Sequence, residues 1–133
     1  MRWIMLIAIS VALAACTQPS APPPEPQPTR VFTVYFDASS ADLTPTAQEI
    51  IGNVADALRK EQPSKIVVEG QANAGAPGDA ELAVKRADTV IAALAKAGVD
   101  PNAMVRRTAL VGPATPDPIT RVSTQKVLVE FLP

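Results

Sequence analysis

Residues 65–98 read KIVVEGQANAGAPGDAELAVKRADTVIAALAKAG, and the stretch divides into three pieces with different periods. Lys65 to Glu69, with Ile66, Val67 and Val68 inside it, is a short β-branched run that reads as a buried strand. Gly70 to Gly78 is a loop of glycine, alanine and proline. From Asp79 the spacing becomes helical: Leu82, Ala83, Ala87, Val90, Ile91 and Leu94 make one apolar face, and Gly98 stops the helix. Upstream, Val31 to Phe36 alternates as a strand with Phe32, Val34 and Phe36 on one face. Thr44-Pro45 then supplies an N-cap and a proline for the first helical position. Ala47, Ile50, Ile51, Val54 and Leu58 form that helix's stripe, and Arg59-Lys60 suit its C-terminal dipole, with Pro63 just beyond. Downstream, Val105 to Val111 and Lys126 to Leu132 are two more strands, the latter with Val127, Val129 and Phe131 on one face. The order is β-α-β-α-β-β with short connections and no internal repeat. It predicts an α+β domain, a two-layer sandwich with the helices on one sheet face.

The N-terminus has a different character. Met1-Arg2 is a short positive start, Trp3 to Leu13 is apolar apart from Ser10, and Leu13-Ala14-Ala15-Cys16 places small residues before a cysteine. That is the tripartite form of a secretory signal, too short to span a bilayer stably. The four residues ending in Cys16 look like a lipobox, which predicts a signal peptide over residues 1–15 and a covalent lipid, palmitate included, on Cys16. Cys16 is the one cysteine of the chain, and lipidation accounts for a lone thiol in an oxidising compartment. Thr17 stands where an aspartate would favour inner-membrane retention, so the expected location is the outer membrane, lipid-anchored, with the domain facing the periplasm. Residues 16–29 form a proline-rich linker. At about 3.1 Å per residue in polyproline II it holds the domain up to roughly 40 Å from the lipid. Residues 30–133 are the folded part.

Composition excludes several classes of function. There are 12 Lys and Arg against 13 Asp and Glu, a net charge of −1, and loss of Arg2 with the signal makes the balance one unit more negative. That is no electrostatic footprint for nucleic acid. Histidine is absent, which removes Ser-His-Asp and Cys-His triads and histidine metal sites. No Gly-rich phosphate loop of the common types occurs. The chain reads as a protein without enzymatic activity, without a bound metal and without a cofactor beyond the lipid.

Several local strings, in order, resemble the peptidoglycan-associating C-terminal domain of the OmpA, Pal and MotB group. Val34-Tyr35-Phe36-Asp37 with Ser40-Ala41-Asp42-Leu43-Thr44-Pro45 is similar to the opening strand and helix start of that group. Val67-Val68-Glu69-Gly70 resembles its second strand, Leu82-Ala83-Val84-Lys85-Arg86-Ala87 its pattern L-S-x-x-R-A, and Gly98-Val99-Asp100-Pro101 its turn G-V-D-P. The resemblance covers residues 30–132 and implies a mixed four-stranded sheet with two helices on one face. It also implies a ligand, the diaminopimelate side chain of the cell-wall peptide. As a zwitterion that ligand needs an anion and a cation, and the fork of an arginine suits its carboxylate.

By position, Arg86 falls on the family's arginine, and Gly70-Gln71-Ala72-Asn73 falls on its G-H-T-D. Asn73 thus stands where the family has aspartate, and Thr124-Gln125-Lys126-Val127 keeps only part of a terminal N-R-R-V. The ligand-binding candidates are Asn73 and Arg86, with Asp79 a neighbour able to supply the missing charge. Asn73 and Arg86 each have a plainer reading. Asn73 suits a turn beside Gly75 and Pro77, and Arg86 a surface pairing with Glu81, Glu69 or a helix neighbour; Asp37 reads as a cap or brace of the loop after the first strand.

Two functions compete. One is an outer-membrane lipoprotein that binds peptidoglycan noncovalently and tethers it to the membrane. The other is a structural lipoprotein of a type IV or type VI secretion complex, with the cell-wall pocket lost. In the second, envelope proteins are the partners, and the 72–78 loop and an exposed Met104 region are docking surface.

Overall fold

Thr44 and Pro45 start the first helix as their chemistry requires: the Thr44 hydroxyl accepts a hydrogen bond from the Ala47 amide at 3.1 Å, and proline fills N1. In the computed structural model, which describes residues 29–112 and 124–133, the order is β1 (Arg30–Tyr35), α1 (Pro45–Glu61), β2 (Lys65–Asn73), α2 (Asp79–Lys96), β3 (Met104–Val111) and β4 (Lys126–Leu132). The signal segment, Cys16 and the linker through residue 28 lie outside the described residues.

The sheet order is β1-β4-β2-β3. The last strand slides between the first two, antiparallel to both, while β3 runs parallel to β2 at the far edge. The mixed four-stranded sheet carries both helices on one face, an α+β two-layer sandwich. Register places Val34, Val68, Val127 and Val129 on that face, and Phe36, Ile66 and Phe131 join them in the core. Ile51, Val54 and Leu58 of α1, with Ala87, Val90 and Leu94 of α2, close the core from above. Each fully buried Val or Leu contributes about 1.5–3 kcal/mol by leaving water.

Three local expectations need correction. Strand β2 does not end at Glu69: it continues to Asn73, because Gly70, Gln71, Ala72 and Asn73 pair in parallel with Thr108, Ala109, Leu110 and Val111. Pairing with a neighbouring strand outweighs the weak intrinsic preference of Gly-Gln-Ala-Asn. Ala72 is consequently buried and offers no docking surface. Met104 is also buried, packed into the core at the start of β3, where an exposed position was expected. Finally, β1 begins at Arg30 and ends at Tyr35. Phe36 lies just past its end, its amide donating to the Gln125 carbonyl at 2.9 Å while its ring enters the core.

One glycine sets the distance between layers. A methyl group on Gly70 would overlap the main-chain carbonyl of Ala83, so α2 lies directly against β2 through Gly70 and Ala83. This close approach sinks the buried face of α2 into the molecule and determines how far a long side chain from it can reach.

Candidate functional site

The first turn of α2 is acidic, with Asp79 and Glu81, and the helix begins after Gly78, whose φ of 84° suits glycine. Asp79, Leu82 and Arg86 share one face of this helix, and all three line a cavity of about 290 Å³. Across from them stand Ser39, from the turn after β1, and Thr124 and Gln125, from the approach to β4. At about 30 Å³ per water molecule the cavity has room for roughly ten waters, the scale of an amino-acid side chain or terminus.

Arg86 is 4% exposed, so it is no surface arginine. Its Nε donates to the Ser40 carbonyl at 2.7 Å and its Nη2 to the Asp37 carbonyl at 2.9 Å, and its guanidinium carbon lies 5.5 Å from the centre of the Phe36 ring. The turn that supplies these carbonyls is itself closed by the Ser40 amide donating to Asp37 at 3.2 Å, with Ser39 at a φ of 56°. Asp37 braces this region as expected, through its backbone carbonyl. Both expected carboxylate partners of Arg86 are occupied elsewhere: Glu81 pairs with Lys85, and Glu69 with Arg107. Among the described residues Arg86 makes no ion pair. Burial pulls its pKa below the ordinary arginine value, and the Asp79 carboxylate pulls it partly back. A guanidinium has five N–H donors, so the two carbonyls leave the group with further donors at the cavity wall.

Asn73 is placed apart from this arrangement. It is 2% exposed and does not line the cavity. Its Oδ1 accepts from the Gly75 amide at 3.0 Å, which fixes the amide orientation and leaves Nδ2 buried without a hydrogen-bond partner. That is the turn-forming role the sequence offered as the plainer alternative. Of the two candidate ligand residues only Arg86 lines the cavity, and Asp79 lines it too. Sequence reasoning passed over Ser39, Leu82 and Gln125 as cavity residues. Only the partial N-R-R-V match over Thr124–Val127 signalled that side, and the Ser40 and Asp37 carbonyls carry no sequence signal at all. Among the described residues no cluster of metal-ligating side chains occurs, and no helix is long and apolar enough to cross a membrane.

Known proteins share this arrangement of elements. An outer membrane protein of Gluconacetobacter diazotrophicus is 36% identical over 87 residues, which is 59% of this chain and 23% of that protein. The chain thus spans less than a quarter of that relative's length. Among solved structures, the OmpA-like domain of FopA1 from Francisella tularensis has a TM-score of 0.64 at 20% identity, covering 77% of this chain and 71% of that one. The peptidoglycan-associated lipoprotein of Burkholderia pseudomallei gives a TM-score of 0.61 at 24% identity, over 74% and 88%. The cell wall anchor of the T6SS from Pseudomonas aeruginosa gives 0.62 at 21%, over 78% and 81%. The OmpA family model matches residues 35–128; with the mixed sheet, the two helices and the Arg86 cavity in place, the chain belongs to the OmpA family.

Proposed function

We propose that this protein is an outer-membrane lipoprotein whose OmpA-like domain grips peptidoglycan noncovalently and so tethers the cell wall to the membrane. The observation that carries the reading is Arg86: a desolvated cation, held by two backbone carbonyls, lining a cavity and without an ion-paired carboxylate among the described residues. A buried cation with spare donors is a receptor for an anion, and the fork geometry of arginine suits a carboxylate. The stem peptides of peptidoglycan present carboxylates on short flexible chains. Membership of the OmpA family supports the same choice, as do a peptidoglycan-associated lipoprotein and a cell wall anchor among proteins of this fold.

The anchor is the lipid on Cys16, at about 0.8 kcal/mol per buried methylene, and several acyl chains together hold firmly. The stalk of residues 17–29 sets the distance to the wall. Nothing in the reading requires bond-making: it is tethering by two grips, one on each layer of the envelope.

The test is co-sedimentation of the full-length protein, kept in detergent, with purified sacculi. Wild type should pellet with the wall, Arg86→Ala should stay in the supernatant, and circular dichroism should show both folded. Failure of wild type to pellet would remove the cell-wall reading. Palmitate labelling should mark wild type and spare Cys16→Ser, and labelling of both would remove the anchor.

A further inference from the structure

Arg86 is one of two opposite charges that line the cavity without meeting. Asp79 is the other, seven residues earlier on the same helix and therefore about 10.5 Å back along its axis. Helical side chains lean toward the N-terminus, so the Arg86 head group is carried toward Asp79, with Leu82 between them on the same face. Among the described residues Asp79 makes no ion pair and Arg86 makes none, although elsewhere on α2 Lys85 pairs with Glu81 at 3.0 Å and Asp88 with Arg106 at 2.6 Å. On the same helix Glu81, Lys85 and Asp88 are paired, whereas Asp79 and Arg86, which line the cavity together, are not paired with each other. Its first turn also holds Glu81, so favourable interaction with the helix dipole does not depend on Asp79 alone. At the end of β2, by contrast, stands a neutral amide whose one acceptor is already bonded to Gly75.

We infer that Asp79, and not the side chain at position 73, is the anion of this site. On this assignment the cavity takes the zwitterionic end of an amino acid, with its carboxylate on Arg86, its ammonium on Asp79 and its methylenes on Leu82. This rests on the proposed cell-wall binding and assigns its second charge. It makes the site selective for a ligand that carries an ammonium beside its carboxylate, where Arg86 alone would accept any carboxylate of the right size. The negative charge enters from the first turn of α2, so it is rigidly tied to Arg86 through one helix.

Sacculus co-sedimentation of the full-length protein in detergent, with competing small molecules, tests the assignment. Meso-diaminopimelate should displace wild type from sacculi, and pimelate, the same carbon chain without its ammonium groups, should be about tenfold weaker. Asp79→Asn should lower sacculus affinity about tenfold and erase the difference between the two competitors, as expected when a charged hydrogen bond becomes a neutral one. Asn73→Asp, which keeps the oxygen facing Gly75, should stay within about twofold of wild type. If Asp79→Asn binds and discriminates like wild type while Arg86→Ala is released, the assignment of Asp79 is wrong and the cell-wall reading stands. If wild type itself ignores sacculi, both fall.

Discussion

Arg86 and Arg107 lie on opposite sides of the same sheet and meet their surroundings in opposite ways. Arg107, on the face without helices, has a side chain 54% exposed and is shared by two carboxylates, bonding Glu69 through Nε and reaching Glu130 at 3.5 Å. Its register explains this: Glu69 pairs with Arg107 across β2 and β3, and Glu130 lies on the adjoining β4. The one guanidinium there is shared by two carboxylates, so its positive charge is already compensated. Arg86, on the buried face of α2, is far more buried, and among the described residues it has two carbonyls and an aromatic face as partners and no ion pair. The accessible arginine is ion-paired and the desolvated one is not, which is the contrast the proposed cell-wall binding rests on. Burial makes that charge more effective, because a carboxylate arriving there meets preorganised donors with little competing water.

The largest expected effect tests what holds the Arg86 side together. Gly70→Ala should force α2 away from β2, because the added methyl meets backbone that has no rotamer to change. A loss of about 3 kcal/mol or more is expected. For a domain of this size that is a fall in Tm of roughly 12–24 °C, measurable by circular dichroism, and a normal Tm would mean that the two layers are not locked there. Next comes Arg86→Ala, which leaves the Asp37 and Ser40 carbonyls short of a donor while relieving a desolvated charge. A net loss of about 1–2 kcal/mol in urea unfolding should accompany release from sacculi. Arg107→Ala should destabilise by about 1 kcal/mol, since it strands a largely buried Glu69. It should leave sacculus binding unchanged, so reduced binding in this variant would break the contrast between the two arginines. The smallest effect belongs to Arg30, which pairs with Glu61 where both side chains are well exposed. Arg30→Ala should shift stability by less than about 0.5 kcal/mol, a useful control in the same urea series.

Much of the fold is legible along the chain because it is local. Thr44-Pro45, the stripe from Ala47 to Leu58, the helical face from Leu82 to Leu94 and the alternation from Val127 to Phe131 each announce themselves within a few residues, and each forms where expected. The end of β2 is different. Gly70 to Asn73 has the composition of a loop and is a strand only because Thr108 to Val111 comes alongside. Met104 falls in a region expected to be exposed and is buried because β3 carries it into the core.

The candidate site divides in the same way. Arg86 stood out by its place in a helical string resembling the family's, but its partners did not. Main-chain carbonyls have the same chemistry at every residue, so no pattern marks Asp37 and Ser40 as acceptors. The choice between Asn73 and Asp79 turned on which of them faces the cavity.

By itself the sequence determined the order and type of the elements, the absence of histidine chemistry and the presence of Arg86 in a helical string that resembles the family's. Those follow from side-chain size, charge and period, which are properties of neighbouring residues. Only the tertiary structure decided that Arg86 is desolvated, has no ion pair among the described residues and shares its cavity with Asp79. Whether two charges touch or stand apart depends on how closely α2 seats on β2, a distance set by Gly70 and Ala83 meeting across the fold.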